Sequence, residues 1–256
     1  MEIYYTKAKD ISMKVIFDAD SLIYASCYKP REDRDGPDDK FITDVDYAFR
    51  RFKDKFENCL EDLVKVVDFT EVVLCSGSTN NFRTKVTKEY KANRTSERPV
   101  VLKPLHDMVK FMFESVHGDG VETDDIVATL WRQEVEENGV DSVVIMSLDK
   151  DYLQFPCWYY NYSKRELHKI TEEEANHNFY SQMIIGDVAD NVNYCKGYGK
   201  AYATKLFKTS VNEYSMRRRT YSLYKQIFND DAKDKFLEAE MLLRLRTDCE
   251  SNIVKL

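Results

Sequence analysis

Four times along this 256-residue chain, grouped carboxylates border an apolar stretch. Asp18 and Asp20 follow Val15-Ile16-Phe17, Asp149 and Asp151 follow Val143-Val144-Ile145-Met146, and Asp187 and Asp190 follow Met183-Ile184-Ile185. The densest group, Glu122, Asp124 and Asp125, stands directly ahead of Ile126-Val127-Ala128. A helix starting near Glu122 would put Glu122 and Asp125 on one face, with Ile126/Leu130 and Val127/Trp131 at the four-residue spacing of a buried stripe. Acid in a first helical turn is ordinary because it complements the helix dipole, so one such group alone reads as a solvated cap. The recurrence at each point where an α/β chain leaves its core is what changes the reading. Carboxylates that converge must repel one another or share hard cations such as Mg²⁺ or Mn²⁺.

The apolar pattern between these groups alternates strand with helix. Strands are expected at Lys14 to Asp18, Glu71 to Ser76, Val143 to Ser147 and Trp158 to Tyr162. Ala19 to Ala25 can turn into a helix, and Phe49, Phe52, Phe56, Leu60, Leu63 and Val67 mark one face of a long one. A further helix begins near Pro104, and Thr171 with Glu174 forms a capping box for the next. Strands alternating with helices imply an α/β fold with a central, mainly parallel sheet, where ligands bind at the carboxyl ends of the strands. Asp18, Ser76 and Asp149 lie at such ends. From about Ile184 onward the chain reads as helical, which suggests a core over residues 1–183 and a helical lobe over 184–256. Residues 1–12 read as a dispensable extension, Gly77 to Asn81 as a polar turn, and Phe82 to Arg98 as a partly ordered excursion over the mouth of the site.

An apolar content of 43% supplies a sizeable core, and no low-complexity tract or repeat is present. The longest apolar runs are too short for a bilayer and the N-terminus lacks a signal pattern, so an intracellular, cytoplasmic protein is expected, without a membrane partner. The six cysteines are scattered singly and read as reduced thiols, and the four histidines show no ligand spacing. The net charge of −7 hides basic segments: Arg83, Lys85, Lys88, Lys91, Arg94 and Arg98; Lys196, Lys200, Lys205 and Lys208; and Arg217 to Arg219. The overall sign therefore does not exclude a nucleic-acid partner.

Several segments in order resemble the 5′-nuclease superfamily, which includes flap endonucleases and the 5′-to-3′ exonucleases of bacteriophages and bacterial polymerases. They are Phe17-Asp18-Ala19-Asp20; Phe82-Arg83 with Tyr90-Lys91-Ala92-Asn93-Arg94; Glu122-x-Asp124-Asp125; Ser147-Leu148-Asp149-Lys150-Asp151; Gly186-Asp187-x-x-Asp190-Asn191; and Gly197-Tyr198-Gly199-Lys200. The resemblance covers roughly residues 14 to 208 on a domain-level reading. It implies a PIN-like nuclease core and a lobe containing a helix-three-turn-helix. By resemblance Asp18, Glu122, Asp124, Asp125, Asp149, Asp151, Asp187 and Asp190 match carboxylates that hold two divalent ions, Mg²⁺ or Mn²⁺. Asp149, Lys91 and Arg83 take catalytic roles, the latter two with Arg94 neutralising the scissile phosphate or its neighbours, while Tyr90 stacks on a terminal base. Gly197, Gly199 and Lys200 match a glycine hairpin that grips duplex DNA and often a monovalent cation such as K⁺.

The implied activity is metal-dependent hydrolysis at 5′ ends, flaps or nicks of duplex DNA, extending to RNA primers on DNA, by a monomer working with replication proteins. One departure stands out. Where the family carries a further Asp after its second strand, this chain has Cys75-Ser76-Gly77-Ser78, and a serine hydroxyl is a poor substitute for a charged ligand. That keeps open an inactive binder of branched DNA, beside a PIN-type ribonuclease as the nearer rival.

Overall fold

The computed structural model describes residues 12–77, 81–210 and 212–255. Most of the expected N-terminal extension, and Ser78, Thr79 and Asn80 of the expected turn, lie outside the described residues. The core is a seven-stranded sheet. Its centre is β1 (Met13–Asp18), flanked in parallel by β2 (Phe69–Cys75) on one side and β4 (Val143–Met146) on the other. Beyond β4 lie β5 (Trp158–Asn161), parallel, and β6 (Glu166–Lys169), antiparallel. Beyond β2 lie β3 (Val116–Gly118), parallel, and β7 (Ile253–Lys255), antiparallel. The central sheet flanked by helices is the expected α/β class.

The period of two along the central strands explains the layering. In β1, Met13, Val15 and Phe17 face one hydrophobic cluster while Ile16 faces another, and in β4 Val144 and Met146 oppose Val143 and Ile145 in the same way. The first face is covered by α1 (Asp20–Ser26), α2 (Val45–Leu63) and α4 (Leu102–Phe113); the one-turn α3 (Arg83–Val86) comes between α2 and α4 in the chain. Phe52, Phe56 and Leu63 of α2 are buried there, as the apolar spacing predicts, and Asp44 caps that helix by accepting the Asp46 and Tyr47 amides. The second face is covered by α5 (Thr123–Asn138).

A third cluster belongs to α6 (Glu172–Ile185), α7 (Lys200–Phe207), α8 (Glu213–Phe228) and α9 (Ala232–Leu243). Thr171 and Glu174 form the expected capping box at the start of α6. Two features differ from the sequence expectation. Phe179, Tyr180 and Met183 of α6 already pack in the helical cluster, so that cluster starts before residue 184. The chain also returns to the sheet: Leu245 and Cys249 pack beneath α5, and β7 closes the edge beside β3. All six cysteines are free thiols, as expected. Among the described residues no helix is long and apolar enough to cross a membrane.

Candidate active site

β1, β2 and β4 run parallel, so their carboxyl ends open on the same side, and there a cavity of about 330 Å³ is lined by Asp18, Asp20, Glu122, Asp124, Asp149, Asp151, Asp187 and Asp190. They arrive from five pieces of local structure. Asp18 is the last residue of β1, Asp20 the first of α1, and Glu122 is the N-cap of α5 with Asp124 in its first turn. Asp149 caps a short 3₁₀ turn over Lys150–Gln154 by accepting the Asp151 amide at 2.8 Å. Asp187 and Asp190 sit on the turn that ends α6, where Asp187 accepts the amides of Ala189 and Asp190 at 2.8 and 3.2 Å.

The side chains behind these carboxylates hold them in place. Asp18 accepts the hydroxyls of Ser147 at 3.0 Å and Tyr152 at 3.1 Å, and the Tyr152 hydroxyl also lies 3.0 Å from Asp124. Gln182 donates to Asp151 at 2.8 Å, and Lys150 ion-pairs with Asp187 at 2.8 Å. Burial, then the charges of Asp20 and Asp149, push Asp18 up to about 7. Burial, then Asp149 and Asp187, do the same for Asp151, also to about 7. Asp124 is raised well above the carboxylate range by burial and by Asp149, Asp18 and Glu122. Burial likewise lifts Asp149, against the Asp151 amide. At Asp187 burial is outweighed by Lys150 and the two amides, and the carboxyl falls below its usual range. Raised carboxylates crowded in one cavity mark a site where negative charge outweighs the positive charge beside it.

Among the described residues no three His, Cys, Asp or Glu side chains stand close enough to enclose a metal ion; the carboxylates face one another across open space. The donor set nonetheless suits hard divalent cations. It consists of oxygens, with neither a thiol nor an imidazole in the lining, which favours Mg²⁺ or Mn²⁺ over zinc or copper. Lys91 and Arg94 line the same cavity, Lys91 bonded to Glu122 and 3.7 Å from Asp190, and Arg94 2.9 Å from Asp190.

Three residues named from the sequence stand elsewhere. Asp125, expected among the ligands, is wholly buried and turned from the cavity, accepting from Arg83 and from the amides of Glu122 and Arg246. Arg83, expected at a phosphate, is 1% exposed. Its guanidinium donates to both Asp125 oxygens at 2.7 Å, to Glu122 at 3.1 Å and to the carbonyls of Leu242 and Arg244 at 3.0 Å. Tyr90, expected to stack on a base, is 4% exposed, its ring packed in the helical cluster and its hydroxyl bridging Glu122 at 2.9 Å and Asp190 at 2.8 Å. The basic segment is thus pinned rather than loose: the Lys91 amide donates to the Asp190 carbonyl at 2.9 Å, and Asn191 to the Glu89 carbonyl at 2.8 Å. Gly197 takes the left-handed conformation with φ +89° and Gly199 caps α7 ahead of Lys200, away from the cavity lining.

Sequence reasoning passed over Lys150, Tyr152, Ser147 and Gln182 as site residues. Ser147 and Lys150 stand inside the Ser147-to-Asp151 segment and Tyr152 directly after it, so the signal is present; Gln182 carries none, since only the fold of α6 brings it to Asp151.

The geometry can be set beside known proteins. Residues 13–182 match the family model described as 5′-3′ exonuclease, N-terminal resolvase-like domain. Among curated proteins, the 5′-3′ exonuclease of Buchnera aphidicola subsp. Acyrthosiphon pisum is 26% identical over 161 residues, 58% of this chain and 51% of that protein. The counterpart from Buchnera aphidicola subsp. Schizaphis graminum is 28% identical over 134 residues, 47% of this chain and 46% of its own. The chain thus spans about half the length of the curated relatives it matches. Among solved structures, the bacteriophage T5 flap endonuclease, determined as a pseudo-enzyme-product complex with DNA and metal ions, superposes with a TM-score of 0.65 at 15% identity. The match covers 92% of this chain and 90% of that one. The catalytic core of Rad2 in complex with DNA substrate gives 0.52 at 13% identity, over 94% and 82%. At these identities the likeness is one of fold.

Proposed function

Because the chain belongs to the 5′-3′ exonuclease family, matched over residues 13–182, we propose that it is a divalent-metal-dependent nuclease. Its substrates are phosphodiester bonds at 5′ ends, flaps or nicks of duplex DNA, with RNA primers on DNA as a further substrate. The observation that carries this reading is the cavity itself, with carboxylates from β1, α1, α5, the 3₁₀ turn and the α6 turn meeting beneath Lys91 and Arg94. That two relatives in fold were solved with DNA, one also with metal ions, supports it.

Asp18, Asp124, Asp149 and Asp151 would hold the cations, with Glu122, Asp187 and Asp190 at the outer side. Divalent cations held there would supply an activated water and stabilise charge on the leaving oxygen. The protein's own part is to orient and neutralise. Tyr152 and Ser147 fix Asp18, Gln182 fixes Asp151, and Lys91 and Arg94 offer positive charge at the rim to the phosphate. Tyr90 and Arg83 act on Glu122 from behind and do not touch substrate. The glycine turn at Gly197 and Gly199, with Lys200, would bind duplex phosphates away from the cavity, and any K⁺ belongs there.

The test is a 5′-flapped, nicked duplex incubated with Mg²⁺ and its products sized. Asp124→Ala and Asp149→Ala should each lower cleavage by at least ~10²-fold, the scale lost with one charge-stabilising group, while duplex binding survives. Cleavage at the parental rate by either variant would remove the metal assignment, and preferential cutting of labelled RNA would favour a PIN-type ribonuclease.

A further inference from the structure

The three central strands reach the cavity together, yet only two of them deliver carboxylates. β1 ends in Asp18 and β4 leads to Asp149, whereas β2 leads to Ser76, a buried residue whose hydroxyl is spent on Ser115 at 2.9 Å. The acid nearest that gap comes from α1. One oxygen of Asp20 accepts the Gly77 amide, just beyond the end of β2, at 2.6 Å, and the other accepts the Thr123 hydroxyl at 2.9 Å. The carboxylate is thereby stretched between the mouth of β2 and the first turn of α5, beside Asp124.

Building on the metal-dependent reading above, we propose that Asp20 is a further ligand of the divalent cation, supplying from α1 the carboxylate that β2 does not carry.

Three observations support this assignment. Asp20 lines the cavity and keeps 39% of its side chain exposed there, so it is within reach of an ion. Its two oxygens offer about four acceptor positions, and the two hydrogen bonds fix its direction while leaving the others free. Its charge is also uncompensated. Glu122 is bonded to Lys91 and Arg83, Asp187 to Lys150 and Asp190 to Arg94. Among the described residues, Asp18, Asp20, Asp124, Asp149 and Asp151 have no lysine or arginine at ion-pair distance, although Lys91 acts on Asp124 and Lys150 on Asp149 from further off; His106 lies 3.9 Å from Asp20. A cation gains most where carboxylates lack partners, so the first ion belongs at the Asp18, Asp20, Asp124 and Asp149 end. Gly77 suits this arrangement: its φ of +54° is one that side chains rarely adopt, and a Cβ there would lie 3.0 Å from His106.

The experiment is a Mn²⁺ titration followed by electron paramagnetic resonance, on the full chain without DNA, for the parent, Asp20→Asn and Asp149→Asn. Asn keeps the size of the side chain and removes its charge. Asp20→Asn should weaken the tightest Mn²⁺ site by on the order of tenfold or more, at or above the loss known for outer-shell partners. Its cleavage should require correspondingly more Mg²⁺, and its thermal midpoint in chelator should not fall. Parental Mn²⁺ affinity in Asp20→Asn, with Asp149→Asn weakened, overturns the assignment and leaves the nuclease reading standing. Absence of Mn²⁺ uptake by the parent would instead sink that reading. Should Asp20→Asn fold poorly, Thr123→Val, which frees one Asp20 oxygen, should give a smaller loss in the same direction; no loss there counts against the proposal.

Discussion

Arg83 shows how far a single residue's role depends on what surrounds it. In the sequence it stands among Lys85, Lys88 and Lys91 and reads as one more cation for phosphate, because nothing local distinguishes a solvated arginine from a buried one. Its burial is decided by Asp125, 42 residues on, and by the α9 carbonyls near residues 242 and 244. With five donors on five acceptors the guanidinium is fully satisfied, and that geometry is open to arginine and closed to lysine. Arg83→Ala should therefore cost roughly 3–5 kcal/mol, since it leaves the Asp125 charge buried and unpaired, and Arg83→Lys should recover only part of it. Urea denaturation checks this. A variant of parental stability with weakened DNA binding would return Arg83 to the phosphate role. Tyr90 was misplaced for the same reason: its partners Glu122 and Asp190 lie 32 and 100 residues away.

At the scale of elements, legibility tracked burial on both faces. β1, β2, β4 and β5 are short apolar runs at the expected positions, and the helices α2, α5 and α6 announce themselves by spacing or caps. β3, β6 and β7 are not legible because strands of three or four residues are too short to show a period and owe their strand character to a partner rather than to pattern. The turn after α6 sits between these cases. Gly186 was legible as part of an acidic motif, but its structural load was not: φ is +80°, and a Cβ there would lie 2.2 Å from the Val192 carbonyl oxygen. That turn, closed by the Asp187 and Val192 bridge, aims Asp187 and Asp190 at the cavity. Gly186→Ala should destabilise by at least ~1–3 kcal/mol, the usual cost of a strained backbone, and lower cleavage as well, because the clash is with main chain that cannot step aside. Thermal melts and the flap assay read the two effects, and a variant with parental values in both would show the turn to be adaptable.

For the molecule as a whole, the gathered carboxylates set a tension between folding and function. Asp18 and Asp151 are both raised from the usual carboxylate value of 3.8 to about 7, by burial first and by neighbouring acids next. The folded chain therefore binds more protons than the unfolded chain between those two values. Stability must then fall as pH rises through that window, since its slope follows protons bound unfolded minus protons bound folded. Asp187, lowered by Lys150, works in the opposite sense only below its ordinary range, whereas His106 and His117, lowered by burial from 6.5, offset part of the decline within the window; the raised acids, joined by Asp124 and Asp149, outnumber them. In chelator, the thermal midpoint should decline from about pH 5 to about pH 8. Millimolar Mg²⁺ should flatten that decline and stabilise most at the alkaline end, where the carboxylates are charged and a cation bound only by the folded state adds its binding free energy to folding. Differential scanning fluorimetry at several pH values, with and without Mg²⁺, measures both curves. A midpoint rising across this window without cation would mean that the acids are relieved from within the protein, and the cavity would lose its claim on a metal.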